Sequence, residues 1–151
     1  MALYYLETSA LVKLYVREAG TDRVLALADR SSENRLATLA LSRIEFRSAV
    51  RRREKNGEIP AHIASHLLDA FDRHLQGRFV TQMVTDFVLD IACKLVDRYA
   101  LRAYDAVQLA GYTALKSSAG ADVPVFVCSD QTLLTAAKQE GIPTLDPCAN
   151  P

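Results

Sequence analysis

Apolar positions change rhythm several times along the chain, and each change marks an element. Ala2–Leu6 is a short continuous apolar run rich in Tyr and Leu, the pattern of a strand buried on both faces. Thr8 or Ser9 can cap the helix that follows, whose Leu11, Leu14 and Tyr15 fall at helical spacing. Gly20 ends that helix, and Thr21 opens a second with Val24, Leu25, Leu27 and Ala28 turned inward. Arg35–Leu39 reads as a strand. Leu41 to Lys55 reads as a helix stopped by Asn56-Gly57, and Pro60 opens another that runs to Leu75 and closes at Gly77. Phe79–Val84 predicts a short strand. Asp86–Tyr99 predicts a helix whose Phe87, Ile91, Leu95 and Val96 repeat at the helical period, and Asp105–Lys116 predicts the next. The small polar segment Ser117–Asp122 is a loop. Val125–Cys128 is a second buried strand, leading to a helix over Gln131–Glu140 capped by Gly141 and a last strand, Ile142–Leu145, stopped by Pro147. Strands alternating with helices predict an α/β fold: a central, mostly parallel twisted sheet with helices on both faces, in one domain over residues 1–147 with 148–151 as a short tail.

Composition changes this picture little. The 151 residues are half apolar and a quarter charged, a globular balance, and eighteen basic residues match eighteen acidic ones. Net charge therefore says nothing about a nucleic-acid partner; only the distribution of charge can. The three cysteines, Cys93, Cys128 and Cys148, are odd in number and form no CxxC pair, which predicts a reduced, cytoplasmic protein without disulfides or a thiolate metal site. The apolar N-terminus is interrupted by Glu7 and Lys13, and no run approaches a membrane span.

In parallel α/β sheets functional groups gather beyond the carboxyl ends of the strands. Glu7 directly follows LYYL and Asp130 closely follows VFVC, positions that helix capping also explains. Glu45 shares a helical stripe with Leu41, Ile44, Ser48, Ala49 and Arg52, where a lone charge is expensive, yet Ser42-Arg43-Ile44-Glu45 also has the form of a capping box. Asp105 precedes Ala106-Val107-Gln108, so D-x-x-Q can likewise simply open a helix. Taken together, four such carboxylates at one end of a sheet would repel one another unless a cation neutralised them. With only oxygen ligands on offer the suitable ions are Mg²⁺ or Mn²⁺, which support phosphodiester hydrolysis.

At these residues the chain resembles the PIN-domain family. YYLETSALVKLY is similar to the family's opening strand, acidic residue and T/S-S-A-L. SRIEFRSAV resembles its second motif, LRAYDAVQLA its third, and VFVCSDQTLLTAAKQEGIPTLDP its fourth and the chain's end. The four motifs run in order from residue 3 to residue 147, and the length and LRAYDA form resemble the VapC toxin branch. The resemblance implies a Mg²⁺- or Mn²⁺-dependent ribonuclease. Glu7, Glu45 and Asp105 would be its main metal set, Asp130 would complete the pocket directly or through water, and Ser9 and Thr8 would supply hydroxyls. It also implies an RNA substrate, an antitoxin partner whose tail covers the pocket, and a homodimer. The family pattern has aspartate where this chain has Glu7, so weakened activity is expected, the alternative being a weakened module that works mainly by binding antitoxin or RNA.

Arg43, Arg47 and Arg51 recur every four residues, a spacing that predicts either a strip for RNA phosphates or a solvated helix face. His62, His66 and His74 lack the H-E-x-x-H form and read as surface residues. Tyr4, Tyr5, Tyr104 and Tyr112 read as core or interface rather than as base-stacking platforms. Glu7-Thr8-Ser9 lacks the paired aspartates of a haloacid-dehalogenase-type phosphatase, and Ser129-Asp130-Gln131 lacks the lysine of a receiver domain.

Overall fold

The computed structural model describes residues 1–150. Its strands are β1 (Leu3–Leu6), β2 (Arg35–Leu39), β3 (Phe79–Gln82), β4 (Val125–Val127) and β5 (Thr144–Leu145). The helices are α1 (Thr8–Leu11), α2 (Thr21–Ala28), α3 (Ser42–Lys55), α4 (Ala61–Gly77), α5 (Asp86–Tyr99), α6 (Ala103–Ser118) and α7 (Gln131–Gln139). The five strands form one sheet in the order β3-β2-β1-β4-β5, and every pairing is parallel. Register is set around the central strand, with Tyr4 opposite Leu36 on one side and Tyr5 opposite Phe126 on the other.

Alternation along the strands divides the core in two. Leu3, Tyr5, Ala37, Leu39 and Phe126 face one layer with α5, α6 and α7, where the rings of Tyr5, Tyr112 and Phe126 pack 5.8–5.9 Å apart. Leu6 and Val127 face the other layer with α1 to α4, built around Phe46 and Phe71 at 4.3 Å. A sheet covered on both faces explains why β1 and β4 read as unbroken apolar runs.

The structure corrects several expectations. The first helix is only four residues long and continues as a 3₁₀ turn over Val12–Leu14, and its cap is neither Thr8 nor Ser9 but Glu7, which accepts a hydrogen bond from the Ser9 N–H. Leu25 points to solvent, whereas Val24 fills the core. In α5 the buried stripe is Val88, Ala92 and Leu95, leaving Phe87 and Val96 outside. Helix α6 starts at Ala103 and extends through Ser118, taking in the first residues expected in the loop. Of the expected tail, residues 148–150 follow a segment tied to α2, because the Arg23 guanidinium donates to the carbonyls of Asp146 and Ala149. Pro151 lies outside the described residues.

Candidate active site

The chain leaves β1 toward β2 on one side and leaves β4 toward β5 on the other, so the crevice beyond the carboxyl ends of β1 and β4 is the switch point of the sheet. A cleft of about 590 Å³ opens there. Glu7, Thr8, Ser9, Glu45, Asp105 and Asp130 all line it, so residues from four distant stretches of chain meet.

Glu7 ends β1 and is 5% exposed. Its Oε2 accepts from the Ser9 N–H at 2.9 Å, from the Ser9 hydroxyl and from the Cys128 thiol at 3.4 Å. No buried side-chain nitrogen or oxygen among the described residues lacks a partner, so Oε1, which receives no hydrogen bond, is the corner open to the cleft. Burial pushes the Glu7 carboxyl above its ordinary range, the Ser9 and Cys128 hydrogen bonds pull it back, and Glu45 adds a smaller upward push. Ser9 therefore works on the carboxylate: its hydroxyl binds Glu7 and accepts from the Ser129 N–H at 2.9 Å.

Glu45 lies in the first turn of α3 but makes no capping box, since Leu41 holds the N-cap position and the Ser42 hydroxyl accepts from no backbone N–H of that turn. Its Oε1 instead accepts from the Gln108 amide at 2.6 Å and from the Thr8 hydroxyl at 3.1 Å. Gln108 is completely buried, and its amide also lies 3.0 Å from Ser42 Oγ and 3.1 Å from Thr8 Oγ1. A sealed polar layer of Thr8, Ser42 and Gln108 thus fixes one oxygen of Glu45. Burial raises the Glu45 carboxyl; the Gln108 and Thr8 bonds lower it, and nearby Asp105 raises it further. The stripe of Leu41, Ile44, Ser48 and Ala49 is a cleft wall, and the true core face of α3 is Phe46, Ala49 and Val50.

Asp105 and Asp130 close the ring. Gln108 is turned into the core, so D-x-x-Q makes no cap either. Asp130 does cap α7, its Oδ1 accepting from the Leu133 N–H at 3.0 Å, while Oδ2 faces the cleft. The Arg102 guanidinium stands between the two, 3.0 Å from Asp105 Oδ2 and 3.8 Å from Asp130 Oδ2.

These residues suit a hard divalent cation. The donors are carboxylate oxygens, two of them on groups whose charge is disfavoured by burial, and Arg102 is an internal cation already placed where countercharge is needed. Among the described residues no three acidic, His or Cys side chains are already drawn into an ion cage. Arg102 shares the Asp105 and Asp130 oxygens that an ion would use, and as a side chain 81% exposed it is only weakly fixed there.

Other expected residues lie elsewhere. Arg43 and Arg47 pair with Asp72 of α4 and Arg51 with Glu54, so that strip turns away from the cleft. The cations that line the cleft are Lys13, Arg52, Arg53 and Arg102, which the four-residue spacing passed over. His62 and His66 are exposed on α4, and His74 pairs with the Tyr15 hydroxyl. Tyr5 and Tyr112 are core residues, but Tyr104 is 65% exposed at the cleft rim. Gln108 carried no signal beyond its place in a capping-box look-alike. All three cysteines are free, and among the described residues no helix is long and apolar enough to cross a membrane.

The pattern that defines the PIN domain family matches residues 4–119. The chain is 31% identical over 147 residues to ribonuclease VapC35 of Mycobacterium tuberculosis, an alignment spanning 96% of this chain and 97% of that one. Its fold is similar to a chain of a toxin–antitoxin complex from Klebsiella pneumoniae, with a TM-score of 0.65 at 14% identity over 95% of this chain and 97% of the other. It is also similar to a chain of VapBC2 from Rickettsia felis bound to a DNA fragment from their promoter, with a TM-score of 0.62 at 13% identity over 95% and 97%.

Proposed function

The chain belongs to the PIN-domain family, and from that premise we propose that it is a metal-dependent endoribonuclease, the toxin half of a toxin–antitoxin pair. The observation that carries this reading is the meeting of Glu7, Glu45, Asp105 and Asp130 in one cleft at the switch point of the sheet. Glu7, Glu45 and Asp105 are the residues to hold the ion, with Asp130 completing the set. When bound, Mg²⁺ or Mn²⁺ supplies countercharge to the carboxylates and Lewis acidity toward a phosphodiester. The chain's own part is positional: Ser9 holds Glu7, Gln108 and Thr8 hold Glu45, and the α7 N-terminus holds Asp130. The likeness to VapC35 and to chains of toxin–antitoxin complexes favours an antitoxin that covers this cleft. The nuclease unit is residues 1–147, and homodimers form through exposed Val80, Met83, Val84 and Phe87 beside edge strand β3.

The reading is tested by incubating single-stranded RNA with the protein in Mn²⁺, Mg²⁺ or EDTA, beside Asp105→Asn. Cleavage should need the ion and fall by about a hundredfold or more in the variant. RNA binding without cleavage above the variant's level would leave a binding module instead.

A further inference from the structure

The cleft has a second pole. Lys13, Arg52 and Arg53 line it together with Glu18. Lys13 is 5% exposed, and its ammonium lies 2.8 Å from Glu18 Oε1. The Arg53 guanidinium meets the other oxygen, Oε2, at 2.9 Å. One carboxylate is thus shared by two cations, each taking one oxygen. Glu58 lies 3.9 Å from Arg53 and is mostly solvated, and Arg52 on the same wall has no carboxylate partner among the described residues. Three cations against two carboxylates leave this pole positive.

A carboxylate gripped by both oxygens presents the acceptor pair that the two non-bridging oxygens of a phosphodiester also present. The place between Lys13 and Arg53 must always hold an anion, because an unpaired cation this deeply buried is costly. Glu18 sits on the turn before α2 and also borders a second hollow, lined by Gly20, Thr21, Asp22 and Arg23, which offers room beside its present position. The acidic pole mirrors this arrangement, with Arg102 between Asp105 and Asp130 as an internal cation.

Resting on the ribonuclease reading, we infer that Lys13, Arg52 and Arg53 form a subsite for the RNA backbone phosphate that flanks the one at the carboxylates, and that Glu18 is an internal placeholder which this phosphate displaces. In the free cleft Glu18 then offsets part of the positive charge at this pole, as Arg102 offsets part of the negative charge at the other, and substrate exchanges one anion for another without exposing Lys13. The same contacts would look alike if they served only to brace the turn before α2 against α3, and binding measurements separate the two.

The experiment is anisotropy of a short fluorescein-labelled single-stranded RNA on the whole protein in EDTA, across a salt series, with melting temperatures recorded. Glu18→Gln removes the competing anion and should tighten binding about threefold or more. Arg53→Gln should weaken binding and lower the slope of log Kd against log salt by about 0.7, one phosphate contact. Wild-type affinity and slope in both variants, with melting temperatures lowered, would show a brace and overturn the subsite. Arg53→Gln alters a partly exposed side chain and keeps the test decisive if Glu18→Gln unfolds by stranding Lys13. A wild-type protein that shows these salt responses but does not cleave retains the subsite and loses the nuclease reading; one that binds no single-stranded RNA overturns the subsite.

Discussion

Two duties compete for the Glu7 carboxylate. One oxygen is folded back to cap α1 and meet Ser9 and Cys128, and only the other is open to the cleft. Aspartate caps helices well and would bring its carboxylate back by roughly 1–1.5 Å, one bond step. A misplacement of about 1 Å can cost on the order of a hundredfold in rate. Glu7→Asp is therefore expected to raise Mn²⁺-dependent RNA cleavage, by up to about that factor, and equal or lower turnover would refute the mismatch. The same residue has a stability signature. Burial holds its folded carboxyl above the ordinary range, so its protonated form favours the fold; that contribution is complete at acidic pH and is lost as pH rises through the raised value. Glu7→Gln should accordingly melt about 2–4 °C higher than wild type near pH 7.5 in EDTA, the effect of roughly 1 kcal/mol at this length, and the gain should vanish about a unit below the ordinary glutamate value, near pH 3.5. Differential scanning fluorimetry at the two pH values decides it; a gain that persists in acid would point to packing instead.

Helix α6 brings Asp105 and Gln108 to the site only because it lies very close to the sheet. A Cβ at Gly111 would come within 2.5 Å of Leu39 Cδ1 and 2.6 Å of the Tyr5 hydroxyl, which itself donates to the Gln108 carbonyl at 2.9 Å. Gly111→Ala should push the helix outward, cost about 1–3 kcal/mol of stability, and lower the melting temperature by about 2–4 °C for each of these. Since Gln108 then loses its grip on Glu45, cleavage should fall further than stability accounts for; unchanged melting would mean that the helix has slack. Elements were legible in the sequence where one rhythm ruled, as in β1, β4 and the span of α5. Faces were not. Helix α5 has apolar residues on most sides, and only contact with α6 and the sheet selects Val88, Ala92 and Leu95 over Phe87 and Val96. Gln108 was hidden because a buried amide and a capping amide look identical in D-x-x-Q until the helix start at Ala103 is known. The arginines were ambiguous in the same way: spacing identifies a common side of α3 but not whether α4 or the cleft lies against it.

The alternation of strands and helices carried the α/β class, and the motifs named four acidic positions, but neither gave the strand order, which fixes which of them become neighbours. Placing β1 between β2 and β4 sets Glu7 beside Asp130 across the switch point, and α3 and α6 then bring Glu45 and Asp105 over it from the two sides. Without a cation, this arrangement burdens the whole molecule with carboxylates whose charge burial and mutual repulsion oppose. Anything that binds the folded state alone stabilises it by mass action, about 2.7 kcal/mol at a hundred times the dissociation constant. Mn²⁺ at such a concentration should therefore raise the melting temperature by about 5–10 °C near pH 7.5. Protons compete for the same oxygens, and the raised values of Glu7 and Glu45 place that competition at higher pH than for ordinary glutamates. The gain should shrink as pH falls through that range and should be largely absent in Asp105→Asn at any pH. An equal shift in that variant would mean that the ion acts elsewhere on the surface and that the meeting of the four acids has some other cause.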